Sequence, residues 1–154
     1  VWGPKVLTGL KVIMSRNRSL IFMSLASTWR KTESRYRLIG AQCETCKGKY
    51  FPPRSICPTC RRKGKISEFG FSGNGKVYSY TFITSAPTGY EKQAPYIFAI
   101  IELKEGPKVS AQITDAKLEE IKIGTPVKMS LRKIKEDGTE GIIYYGYKFV
   151  VDNG

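Results

Sequence analysis

Four cysteines in two pairs, Cys43-Glu44-Thr45-Cys46 and Cys57-Pro58-Thr59-Cys60, constrain this chain more than any other feature. Each pair closes a tight turn that aims two thiolates at one point, and ten residues separate the pairs. Two such knuckles complete a tetrahedral four-sulfur shell around Zn2+. All the cysteines of the chain are used, so the expected metal ligands are Cys43, Cys46, Cys57 and Cys60. Two disulfides would demand an oxidising compartment, and paired C-x-x-C spacing favours metal over that alternative. Iron in a rubredoxin-like site takes the same ligands. A shell closed by four thiolates leaves no open position, which makes the ion structural and not catalytic.

The surrounding stretch explains why metal is needed. Residues 39–66 carry Gly40, Gly48, Pro52, Pro53, Pro58 and Gly64 as turn formers and show little apolar periodicity. Such a segment buries too little surface to fold by itself, and a metal supplies what the core lacks. The loop from Lys47 to Arg54 then stands on a rigid base. Its Tyr50, Phe51 and Arg54 suit docking to a partner; Tyr50 and Phe51 equally suit covering a junction with the next domain. Arg61 and Arg62, with Lys63 and Lys65, follow the last cysteine and can grip phosphate or form a solvated run.

Charge is distributed unevenly. The net charge is +13 over 154 residues, yet residues 1–65 hold 15 Lys and Arg against only Glu33 and Glu44. The remainder holds 11 of each sign and is neutral. The excess points to an anionic partner, whether nucleic acid, a phosphate-bearing cofactor or an acidic protein surface, against the plainer reading of a solvated face. Histidine is absent, which removes the commonest general base and the usual ligand of catalytic zinc. No phosphate-cradling glycine loop, Ser/His/Asp set or poised carboxylate pair stands out. The expectation is a protein that is not an enzyme.

Three regions follow. Residues 1–38 read as a basic N-terminal helical region, with a helix from about Ser24 to Tyr36, Ser24 or Ser27 as N-cap, and Leu25, Trp29 and Tyr36 near helical spacing. Val1 reads as an alternative start or the remainder of a longer frame, with Met14 and Met23 as internal starts. Leu20–Ala26 behind Arg16 and Arg18 faintly resembles a secretory signal, but it is short and Trp29-Arg30-Lys31 stands where cleavage would occur. The expected location is the cytoplasm, with no membrane partner. Residues 39–66 form the zinc ribbon.

Residues 67–154 read as β, in runs Lys76–Ser85, Tyr96–Leu103, Lys108–Ile113, Pro126–Ile134 and Ile142–Val151. Turn signals bound these runs, among them Glu136-Asp137-Gly138 between the last two. A short helix over 115–121 with Asp115 as N-cap separates the third and fourth. Three strands, a helix and two strands is the order of a five-stranded OB-fold barrel, with a Greek-key sandwich as the alternative. Tyr78, Tyr80 and Phe82 alternate along the first run, and burial in the core is favoured over base stacking, as for Tyr144, Tyr145 and Tyr147. The fold class is thus mainly β: an N-terminal helical segment, a rubredoxin-like zinc ribbon, then the barrel.

The order Trp29-Arg30, Arg35-Tyr36, Leu38, Gly40, Cys43-x-x-Cys46, Phe51-Pro52-Pro53-Arg54 and Cys57-Pro58-x-Cys60 resembles the thiolase-associated zinc-ribbon/OB-fold family, long labelled a domain of unknown function. The likeness continues through Gly75-Lys76-Val77-Tyr78-Ser79-Tyr80-Thr81, Pro95-Tyr96, Ile100-Ile101-Glu102-Leu103 and Ile123-Gly124 before Val127, and covers about residues 24–151. It implies a non-catalytic accessory subunit. Archaeal members resemble a bridge between acetoacetyl-CoA thiolase and hydroxymethylglutaryl-CoA synthase, passing acetoacetyl-CoA toward the mevalonate pathway of isoprenoid biosynthesis. The implied partners are these two enzymes in a hetero-oligomer. The implied cofactors are one structural Zn2+ and CoA or acyl-CoA at the partner interface. Trp29, Tyr50, Phe51, Arg54, Arg61 and Arg62 are the candidates for partner or CoA-phosphate contact. A single-stranded nucleic-acid binder is the alternative, opposed by the neutral barrel half.

Overall fold

A computed structural model of the chain describes residues 29–87, 89–136 and 141–152. The expected N-caps Ser24 and Ser27, with Leu25, lie outside the described residues, as do Asp137 and Gly138. Within them, a helix α1 (Thr32–Arg37) buries no side chain, and the Ser34 hydroxyl donates to the Lys31 carbonyl at 3.0 Å. It ends at Leu38, whose left-handed φ of 50° is the helix-terminating conformation usually given to glycine. Leu38 nevertheless has 0 % exposure. Burying a leucine side chain stabilises by roughly 1.5–3 kcal/mol, enough to offset the backbone strain.

Three antiparallel strands follow in the order β2-β1-β3, with β1 Ile39–Cys43, β2 Lys49–Tyr50 and β3 Ile66–Gly70. β1 pairs with β3 along its length, from Ile39 opposite Gly70 to Cys43 opposite Ile66. Gly40 is therefore no turn former but sits mid-strand, opposite Phe69. A Cβ there would lie 2.5 Å from both the Phe71 ring and the Tyr50 carbonyl oxygen. Only a residue without a side chain lets these backbones approach.

The remaining strands are β4 (Asn74–Ile83), β5 (Tyr96–Leu103), β6 (Lys108–Thr114), β7 (Pro126–Glu136) and β8 (Ile143–Val151). They close a barrel in the order β4-β5-β6-β8-β7, sealed by Asn74, Gly75 and Lys76 pairing with Lys128, Val127 and Pro126. β6 and β8 run parallel and the other pairs antiparallel. This is the expected OB-fold order. Alternation along the strands turns Val77, Ile101, Val109, Val127 and Phe149 into one core.

Two local expectations fail. The helix over 115–121 shrinks to a single 3-10 turn, η2 (Leu118–Glu120), capped at Lys117. Asp115 is not its cap: it takes a left-handed φ of 59° and accepts a bond from Arg132 of β7 at 3.1 Å. The aromatic row of β4 is not core either. A bulge between Val77 and Ser79 breaks the two-residue period. Val77 stays buried, whereas Tyr78, Tyr80 and Phe82 are 50 %, 37 % and 42 % exposed. In β8, Tyr144 is buried and Tyr147 half-buried, while Tyr145 is exposed. A second 3-10 turn, η1 (Glu91–Gln93), packs outside the barrel. Gln93 Nε2 donates to the Ile134 carbonyl, and Lys92 pairs with Glu136 at 2.9 Å.

Candidate metal centre and its basic knuckles

β1 delivers Cys43 to the end of the ribbon sheet, where its N–H donates to the Gly48 carbonyl at 2.9 Å. In the second knuckle the Arg61 N–H returns to the Cys57 carbonyl at 2.8 Å. The residue after the second cysteine of each pair, Lys47 or Arg61, takes a left-handed φ of 58° or 53°. The two turns are thus built alike and face each other.

The four Sγ atoms lie within 4.8 Å of one another, with Cys46 and Cys57 Sγ 3.5 Å apart. A tetrahedron with Zn–S bonds of about 2.3 Å has sulfur–sulfur edges of about 3.8 Å, so the cage fits the ion. Cys43 and Cys57 are buried, Cys60 is half-buried and Cys46 faces outward, and none is in a disulfide. Gly64 closes the inner side: a Cβ there would stand 2.9 Å from Cys57 Cβ and 3.2 Å from Cys43 Sγ.

Hydrogen bonds prepare the sulfurs for the thiolate form. The Cys60 N–H points at Cys57 Sγ at 3.4 Å, and with the Tyr50 hydroxyl it holds the Cys57 thiol down to about 6. Tyr50 is in turn pushed up to about 12, because its proton is engaged by Cys57 Sγ at 3.4 Å. The Cys46 N–H likewise draws Cys43 below its usual value. Cys60 is pushed up to about 12, first by its contact with the Cys46 sulfur. One dication supplies the charge that lets four crowded sulfurs ionise together. With all four positions taken, the centre braces the fold and offers substrate no coordination site.

The other predicted residues divide into two sets. Phe51 turns inward, with its ring 6.0 Å from Phe71 and 5.7 Å from Tyr147, both edge to face. Phe69 against Phe71 and Tyr147 against Phe149 extend this chain of rings from ribbon to barrel. Tyr50 serves the metal cage. Arg54, Arg61 and Arg62 are exposed on the knuckles, with Ile56 59 % exposed between them. Trp29, 74 % exposed, lines a separate groove with Tyr36, Ile142 and Tyr145. The structure does not gather these six into one pocket. Phe69, Phe71 and Tyr147 were missed as joint residues, although the spacing Phe69-x-Phe71 puts two rings on one face of an extended segment.

The fold and its site define a zinc ribbon joined to an OB-fold barrel through packed aromatic rings. Residues 32–65 match the family model described as the ChsH2 rubredoxin-like zinc ribbon domain, and residues 71–132 match that of the ChsH2 C-terminal OB-fold domain. A DUF35 domain-containing scaffold protein of Methanocaldococcus jannaschii is 52 % identical over 122 residues, spanning 79 % of this chain and 86 % of that protein. A probable enoyl-CoA hydratase alpha subunit of Thermomonospora curvata is 31 % identical over 64 % of this chain and 30 % of its own length. Among solved structures, the Ltp2-ChsH2(DUF35) aldolase superposes with a TM-score of 0.62 at 26 % identity, covering 87 % of this chain and 98 % of that one. The chain belongs to the family of DUF35 domain-containing scaffold proteins. Among the described residues no helix is long and apolar enough to cross a membrane.

Proposed function

We propose that this chain is a non-catalytic subunit that bridges acetoacetyl-CoA thiolase and hydroxymethylglutaryl-CoA synthase in the cytoplasm, easing the passage of acetoacetyl-CoA into the mevalonate pathway. The observation that carries the scaffold role is the 52 % identity to an archaeal scaffold protein over nearly its whole length. The closed four-cysteine shell and the absence of histidine agree with a role outside chemistry. The enoyl-CoA hydratase subunit and the aldolase complex among the similar proteins support a partner drawn from enzymes of this kind. Trp29 and the exposed Arg54, Arg61 and Arg62 are the contacts proposed for partners or CoA phosphates, whereas Tyr50 and Phe51 act by holding the knuckle in place.

Thiolase condensation runs uphill, so a second enzyme held alongside draws the product forward. Native mass measurement of the tagged chain purified from its own cells tests this reading. Recovery of both enzymes in one assembly is expected; recovery of the chain alone, or with neither enzyme, overturns it. A second reading, single-stranded nucleic-acid binding, is favoured by the exposed Tyr78, Tyr80 and Phe82. The neutral charge of residues 66–154 opposes it.

A further inference from the structure

A cleft of about 670 Å3, in the size range of small-molecule sites, opens between the ends of β5 and β6 and the turns η1 and η2. Its floor is polar and poorly satisfied. Ile113 pairs with Phe149, both in the core, so alternation puts Gln112, Thr114 and Lys148 on the opposite face of adjacent strands. Lys148 is only 6 % exposed, and its ammonium donates to Gln93 Oε1 at 2.8 Å, a neutral acceptor. Among the described residues no carboxylate lies within ion-pair distance of it. Asp115, on the same wall, is engaged by Arg132. Burial holds the Lys148 ammonium below its usual value, Arg132 adds to the effect and Asp115 opposes it.

Gln112 is 9 % exposed and lines the same wall of the cleft. Thr114 Oγ1 is buried and unpartnered among the described residues. A buried cation without a countercharge beside an unmet hydroxyl is costly, and the cost falls when one ligand satisfies both. A carboxylate offers acceptors only, matching the spare ammonium protons, the amide NH2 and the hydroxyl. Phe82, Tyr96 and Leu118 supply an apolar side wall.

We propose that this cleft binds a small-molecule carboxylate on a short apolar body, its acid group held by Lys148, Gln112 and Thr114. The site is separate from the metal cage and the basic knuckles. It is tested on the full zinc-loaded chain by following backbone amide shifts during titration with benzoate and butyrate, with benzamide and butyramide as uncharged counterparts. Expected are saturable shifts at residues 93–97, 112–119 and 148, with the amides binding roughly tenfold more weakly. Lys148→Met, which keeps the volume and removes the charge, is expected to weaken benzoate by at least roughly tenfold. Should that variant lose its native spectrum, Thr114→Val decides: roughly threefold weaker binding supports the site and unchanged binding overturns it. Acids that bind no better than amides, unaltered affinity in Lys148→Met, or shifts confined to the Arg54, Arg61 and Arg62 knuckles also overturn it.

Discussion

The ribbon and the barrel are both β structures, yet they are held together by opposite means. Between Glu44 and Lys65 the one buried side chain is Cys57, a metal ligand. The barrel instead packs Val77, Ile101, Leu103, Val127 and Phe149, each at most 2 % exposed, around a closed ring of strands. Cohesion in the first is coordinate bonding; in the second it is the removal of apolar surface from water. A scaffold gains from having both, because a metal knuckle can present cations and prolines on its surface without needing an apolar interior.

The strongest way to break this contrast is to withdraw the metal. Structural zinc in comparable ribbons contributes about 10–16 kcal/mol of apparent binding energy. Chelation is expected to abolish amide-exchange protection across residues 39–65 and to leave protection in β4 to β8 largely intact. Simultaneous collapse of both regions would show that the barrel cannot stand without the ribbon. A smaller effect is expected from Phe51→Ala, which removes the ring wedged between Phe71 and Tyr147. The loss should be about 2 kcal/mol, with zinc content unchanged and the ribbon and barrel melting further apart than in the parent. Melting unchanged from the parent would mean that the ring joint carries no coupling.

The smallest effect concerns acid. Lys133 and Lys92 hold the Glu136 carboxyl down to about 2, below its usual value. Its contribution is therefore present above the unfolded carboxylate range and is lost as pH falls through about 2. The melting temperatures of the parent and of Glu136→Gln should differ at pH 5 and converge near pH 2, a difference that stays constant refuting the tie. Thiolate ligands compete with protons at much milder acidity, so the ribbon should fail before this surface clamp does.

Much of this was legible in the sequence. Five strand runs and their order followed from alternation between turn residues, because each strand has one wet and one dry face. The metal site followed from spacing alone. What escaped has identifiable causes. The bulge at Val77 and Ser79 inserts one residue, which no two-residue count can register: Tyr80 and Phe82 then stand opposite the buried Ala99 and Ile97, on the other face from Tyr78, yet all three rings stay exposed. Asp115 has the chemistry of a helix cap, but its contact with Arg132 is seventeen positions away in sequence and wins. Lys148 sits at a position that polarity assigns to the surface, yet it is buried and bonded to Gln93 of the η1 turn, fifty-five positions away in sequence.

The row of rings running from Phe69 through Phe71 and Phe51 to Tyr147 and Phe149 has a mechanical consequence. It gives two differently built bodies one shared aromatic seam, so a load on either is passed to the other through these few rings. Whatever clasps the sulfur-braced tip is thereby mechanically linked to whatever clasps the cylinder.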